Sequence, residues 1–189
     1  MTTSPHDSIN IFKLFISIIL FLVSGLLSTY LYYILQGKGG VYFPGLLYTS
    51  TTIIVFILTR KNFEIRNILQ YYFSMLLLYL VIWFLTMLSS WFVIICGPLT
   101  AGFGAIATFI LTDKFIIKIK YNKIHVFIFG ALAFLLTDLI YLFFSSMYDK
   151  TPVEYIFNAE VDSTVLFLEL FTFWHVLVGT KLFLTLSKT

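Results

Sequence analysis

The sequence predicts an all-α integral membrane protein, a six-transmembrane-helix bundle with both termini cytoplasmic, and three observations predict it. Of its 189 residues, 60% are hydrophobic and only 11% charged, with a mean hydropathy of +0.98, whereas an average soluble domain is about 25% charged. The apolar residues fall in runs of about twenty, the length a helix needs to cross a bilayer. Lysine and arginine concentrate in alternate connections between those runs, the pattern that orients spans in a membrane. A water-soluble globule of 21.9 kDa is excluded, because too few polar side chains remain to cover it.

The elements follow in chain order as one transmembrane domain over residues 1–189, with helices at approximately 9–35, 41–59, 68–88, 90–112, 124–148 and 163–186. The first run is too long for the core of a signal peptide and no small-residue cleavage site follows it, so it is expected to remain as a span. It ends at Gln36-Gly37-Lys38-Gly39-Gly40, where three glycines resist helix continuation. The second carries Tyr48-Thr49-Ser50-Thr51-Thr52 before an unbroken Ile53 to Leu58, and stops at Arg60-Lys61-Asn62. Ile68 to Leu111 is apolar almost throughout, but one helix of that length would reach about 66 Å at 1.5 Å per residue. Two spans with a turn at Ser89-Ser90 fit a bilayer better. The basic stretch Lys114 to Lys123 precedes the fifth helix, and the acidic stretch Asp149 to Asp162 precedes the sixth.

Counting charges in the connections sets the orientation. Arg60, Lys61 and Arg66 lie in the second, Lys114, Lys118, Lys120 and Lys123 in the fourth, and Lys188 in the tail, all of which should face the cytoplasm. The first has Lys38 alone, the third no charge, and the fifth Asp149, Glu154, Glu160 and Asp162 against Lys150, which places them outside. Tyr30, Tyr32, Tyr33, Tyr42, Trp83 and Trp91 then fall near the outer interface, where amphipathic rings are favoured. The net charge of +3 is explained by this bias, so nucleic acid is not expected as a partner. A single cysteine, Cys96, forbids an intramolecular disulfide or a CxxC pair. His6, His125 and His175 are too scattered for a zinc centre, so neither metal nor cofactor is expected.

Depth singles out a candidate binding set of Asp138, Glu169, His175, Gly97, Pro98, Thr172 and Tyr141. A carboxylate within a span costs about 2.5–3.5 kcal/mol on insertion scales, so Asp138 should face protein, water or a ligand rather than lipid. It shares a helical stripe with Tyr141 and Ser145, and Glu169 shares one with Thr172, Val176, Gly179 and Thr180. Asp138 could instead be satisfied by neighbouring hydroxyls, and Glu169, which is shallower, could reach the headgroups. His175 lies roughly 120° around the axis from Glu169, so the two flank a cavity, or the ring bonds a neighbouring helix as packing glue. Gly97-Pro98 is expected to interrupt the fourth helix, because proline removes a backbone donor. Gly97, Ala101 and Ala105 form a small-residue ridge suited to close helix packing.

The gross plan of six helices, both ends inside and about 190 residues is similar to the substrate-binding subunits of energy-coupling-factor vitamin transporters. The chain departs from them in its first helix, which has Ser17, Ser24, Gly25 and Ser28 in place of their alanine-spaced motif, so no family is assigned. The leading expectation is a transporter, or the membrane-embedded solute-binding subunit of one. It would hold a small polar solute in a polar pocket in the outer half of the bilayer, lined by helices two, four, five and six. A scaffold subunit meeting a partner membrane protein or a cytoplasmic subunit comes second. An intramembrane lipid-modifying enzyme ranks last, since its two arginines, Arg60 and Arg66, lie at the inner surface and no activated nucleophile is visible. Small size and the strong charge bias suggest the inner (plasma) membrane of a bacterium. In a Cys96→Ala background, cysteines placed at Lys38 and Asn158 should be labelled by an impermeant thiol reagent in intact cells while one at Asn62 is not; labelling at Asn62 alone inverts the orientation.

Overall fold

The computed structural model describes residues 11–35, 40–59, 64–88, 93–146 and 163–187. Among them are six helices and no strand: α1 (Ile11–Ile34), α2 (Phe43–Thr59), α3 (Ile65–Leu88), α4 (Val93–Phe115), α5 (Lys123–Ser146) and α6 (Ser163–Leu186). A 3-10 turn at Gly40–Tyr42 leads into α2. Every expected helix is present, with ends within three residues of the sequence reading. Three stretches, Ile11–Tyr32, Ile65–Leu85 and Cys96–Phe115, are long and apolar enough to cross a membrane. Phe43–Thr59, Lys123–Thr137 and Phe171–Leu186 are shorter apolar helices.

Side chains are apolar on the outside as well as in the core. On α3, Tyr71 and Met75 are buried while Ile65, Leu69, Phe73, Leu77 and Phe84 point outward and are exposed. The same holds on α1, where Phe21 is buried and Phe12, Phe15, Val23 and Tyr30 are exposed. A helix that is apolar all round suits a lipid surround and not water. The buried core collects Phe21, Val55, Phe56, Tyr71, Phe109, Val126, Val178 and Phe183 from all six helices.

Each helix packs against its neighbours in sequence, and α6 packs on α1 to close the ring. The α1–α6 and α4–α5 contacts are the most extensive, α2–α3 is the thinnest of the sequential ones, and α6 also touches α2 and α4. The extensive contacts form where a side chain is missing. A Cβ on Gly25 would lie 2.5 Å from Thr172 Cα, and one on Gly130 2.5 Å from the Ala101 carbonyl oxygen and 2.8 Å from Ala105 Cβ. The ridge of Ala101 and Ala105 is therefore occupied by α5 of the same chain.

Pro98 does not interrupt α4, contrary to expectation: the helix is continuous from Val93 to Phe115. Pro98 deprives the Ile94 carbonyl of its donor, and the helix continues past that one missing bond. The α4–α5 connection is tightly made. Asp113 accepts from the Ile119 amide at 2.9 Å and pairs with Lys118 at 3.3 Å. Asn122 caps α5 by accepting from the amides of Ile124 at 2.9 Å and His125 at 3.3 Å.

These approaches fix which glycines tolerate a methyl group. Gly130→Val should destabilise the protein by about 1–3 kcal/mol in reversible unfolding from mixed micelles, through overpacking against α4. Gly104→Ala, whose Cβ would meet Ile82 at an ordinary 3.6 Å, should be neutral or stabilising by up to about 1 kcal/mol through helix propensity.

Candidate functional site

A cavity of about 110 Å³ lies between α2, α3, α4 and α6, with Phe134 of α5 in its wall. It draws on the start of α2 (Pro44 to Thr49), the end of α3 (Met75 to Trp83) and the first half of α4 (Gly97 to Thr108). Those segments meet because successive helices run in opposite directions. Two glycines set the shape of the wall. The Tyr79 ring rests on Gly45, where a Cβ would fall 2.6 Å from its Cγ, and the Phe134 ring rests on Gly97, where a Cβ would collide with it.

His175 is the most buried polar member of the α6 wall, at 2% exposure. Its Nδ1 lies 3.2 Å from Ser24 Oγ on α1, and its ring sits 4.9 Å from that of Tyr48. Trp174 donates from Nε1 to the Ala101 carbonyl at 3.3 Å, and its ring packs tilted against that of Tyr48 at 4.8 Å. Tyr48 thus holds two aromatic partners from α6 in place, and Phe21 of α1 adds a third at 5.7 Å.

The hydroxyls that enrich this end of the bundle are turned to the backbone. Thr49 donates to the Gly45 carbonyl at 2.7 Å, Thr100 to those of Cys96 and Gly97 at 2.9 Å, and Thr108 to that of Gly104 at 2.9 Å. Ser28, Thr52 and Thr137 do the same on their own helices. Their protons are unavailable to a solute, and the described cavity surface is chiefly apolar and aromatic. Against this background three polar atoms of lining residues stand out. Tyr48 Oη, Tyr79 Oη and Trp83 Nε1 make no hydrogen bond among the described residues and are closed to solvent, so they lie behind the cavity surface and not on it. Deeper in the core, by contrast, Tyr71 Oη and Thr112 Oγ1 are 3.4 Å apart.

Of the sequence-predicted residues, Gly97 and His175 line the cavity. Pro98 and Thr172 are not in its wall; the Thr172 backbone instead lies under Gly25. Asp138 and Tyr141 are on α5, and Glu169 is on α6, but their side chains lie outside the described residues. In register, Asp138 follows Phe134 by one turn. The aromatic residues of the wall were missed, although Met75, Tyr79 and Trp83 recur at i, i+4 on one face of α3. Among the described residues no group of three or more His, Cys, Asp or Glu could hold a metal ion.

The contrast between the two phenols is measurable. Tyr71→Phe removes a hydrogen bond and should lower stability by about 0.5–1.5 kcal/mol. Tyr48→Phe removes an unpartnered oxygen while keeping the ring contacts, and should leave the unfolding free energy at or above that of the original protein. Compared with protein-family models, characterised proteins and solved structures, the chain matches none of them.

Proposed function

We propose that the chain is a transporter, or the membrane-embedded solute-binding subunit of one, and that its cavity is the solute site. In this reading the six helices are six spans with both termini cytoplasmic, in the inner membrane of a bacterium. The observation that carries it is the cavity itself, about 110 Å³ between α2, α3, α4 and α6 in a bundle whose helices elsewhere close ring against glycine.

Position supports the same reading. The wall is built from the start of α2, the end of α3 and the start of α4, the ends that the charge bias assigns to the outer half of the bilayer. His175 is steadied by Ser24 from a helix outside the wall. Asp138, by its register beyond Phe134, is a candidate for the outer rim, with Glu169 further around α6. The basic connections form the opposite end, suited to anionic lipid headgroups or a cytoplasmic partner subunit. The scaffold reading loses one of its supports, because Ala101 and Ala105 of the small-residue ridge are covered by Gly130 of the same chain.

Purification from membranes in a mild detergent, followed by mass spectrometry of the small molecules released on denaturation, tests this. One solute should be recovered in near-stoichiometric amount, and Gly104→Leu, which places a side chain at the cavity wall, should lose it. A stoichiometric protein partner with no solute would move the assignment to a scaffold subunit.

A further inference from the structure

An open groove of about 520 Å³ follows α3 from Ile65 to Ser74, with Phe115 of α4 in its wall. It starts at a membrane boundary, because Ile65 opens one apolar stretch long enough to span and Phe115 closes another. Two parallel stripes of α3 line it. Ile65, Leu69 and Phe73 form an apolar one, all three exposed, and Arg66, Gln70 and Ser74 form a polar one beside it. Each stripe steps by four residues, about 6 Å along the axis at 1.5 Å per residue. Polarity is therefore graded along the groove, with a guanidinium at the boundary, an amide one turn further in and apolar side chains alongside. A phospholipid has the same order, its phosphate outermost, its ester carbonyls next and its acyl chains deepest.

Charge selects the headgroup. Among the described residues the one ion pair joins Asp113 to Lys118, which leaves Arg66 without a counter-charge. Glu64 is not in the lining, and its carboxylate accepts from the Asn67 amide at 3.4 Å. Lys114 holds its ammonium 5.1 Å from the centre of the Phe115 ring, which brings a second cation to the α4 side. The connection ahead of α3 adds Arg60 and Lys61 in sequence and has no acid before Glu64. A soluble acidic partner would meet these cations alone, whereas Leu69 and Phe73 lie about 6 and 12 Å further along the helix than Ile65, inside the apolar stretch. Basic pockets between membrane helices hold anionic headgroups. We infer that this groove seats an anionic phospholipid, its phosphate on Arg66 and an acyl chain along Leu69 and Phe73. The inference rests on the chain spanning the membrane, as proposed, and not on the cavity or its solute.

Native mass spectrometry of the whole chain tests it, with the protein released from micelles that contain equal amounts of phosphatidylglycerol and phosphatidylcholine with the same acyl chains. Phosphatidylglycerol should be retained at least about fivefold over phosphatidylcholine, the factor that one basic residue near the surface is worth. Arg66→Gln should lower that preference about fivefold without a fall in Tm, since the side chain is exposed, and Arg66→Lys should restore most of it. Lys123→Gln removes a charge at the same end but outside the groove lining, and should leave the preference unchanged. An excess of glycerol 3-phosphate should not displace the lipid, because it lacks the chain. Retention of neither lipid, equal retention of both, an undiminished preference in Arg66→Gln, an equal fall in Lys123→Gln, or displacement by glycerol 3-phosphate overturns the lipid site and leaves the solute reading standing. Retention of neither lipid by a chain that stays folded in solution without detergent overturns the spanning assignment as well.

Discussion

The constraint on which the rest of this structure depends is that polar groups in an apolar surround must find partners within the chain. It explains why the described residues are helical almost throughout, since a helix satisfies its own backbone. It also explains what the serines and threonines do. Thr49, Thr52, Thr108, Thr112 and Thr137 each donate to the carbonyl four residues back, at 2.7–3.0 Å, and so settle their hydroxyl protons without help from another helix. A hydroxyl on such a span is self-contained. Phenols and an indole cannot reach back to their own backbone in this way, so their polar ends depend on something across the bundle.

A second regularity is the seating of aromatic rings on glycines. Tyr79 lies on Gly45, Phe134 on Gly97, Phe127 on Gly102 and Phe21 on Gly179, each where a Cβ would meet the ring. Between helices whose surfaces are all apolar, close fit of this kind supplies the attraction that the hydrophobic effect gives in water. The cavity follows from the same device. Gly45 and Gly97 hold two rings at its edges, while at Gly104 the nearest side chain, Ile82, stays 3.6 Å from a Cβ position and leaves space.

Much of the fold was legible because it rests on hydropathy and charge, which are local properties. The glycine-rich break at Gly37 to Gly40 and the Arg60–Asn62 stop marked helix ends that the structure keeps to within three residues. Gly97 and His175 were legible as site residues because a small residue and an ionisable one stand out in an apolar run. Tyr79, Trp83, Phe134 and Trp174 did not stand out among 22 phenylalanines, 12 tyrosines and 3 tryptophans. Which aromatic residues face inward depends on helix rotation, and period alone does not reveal that when both faces are apolar. The expected break at Pro98 failed for a different reason: one missing backbone donor does not break a helix that its neighbours hold in place.

α3 shows how rotation is set when hydrophobicity cannot set it. Leu69, Phe73 and Leu77 on its outer face are as apolar as Met75 on its inner face, so turning the helix would change little apolar burial in lipid. Specific contacts break that near-degeneracy. Tyr71 meets Thr112 of α4 at 3.4 Å and packs tilted against Phe56 of α2 at 5.7 Å, while Tyr79 fits over Gly45. Those contacts lie two turns apart on one face, and a rotation of one residue, about 100°, would lose all of them together. The thin α2–α3 contact is thus held by a few aromatic fits and not by a broad seam. The same face carries Tyr79 and Trp83 to the cavity, so the contacts that orient the helix also build the site.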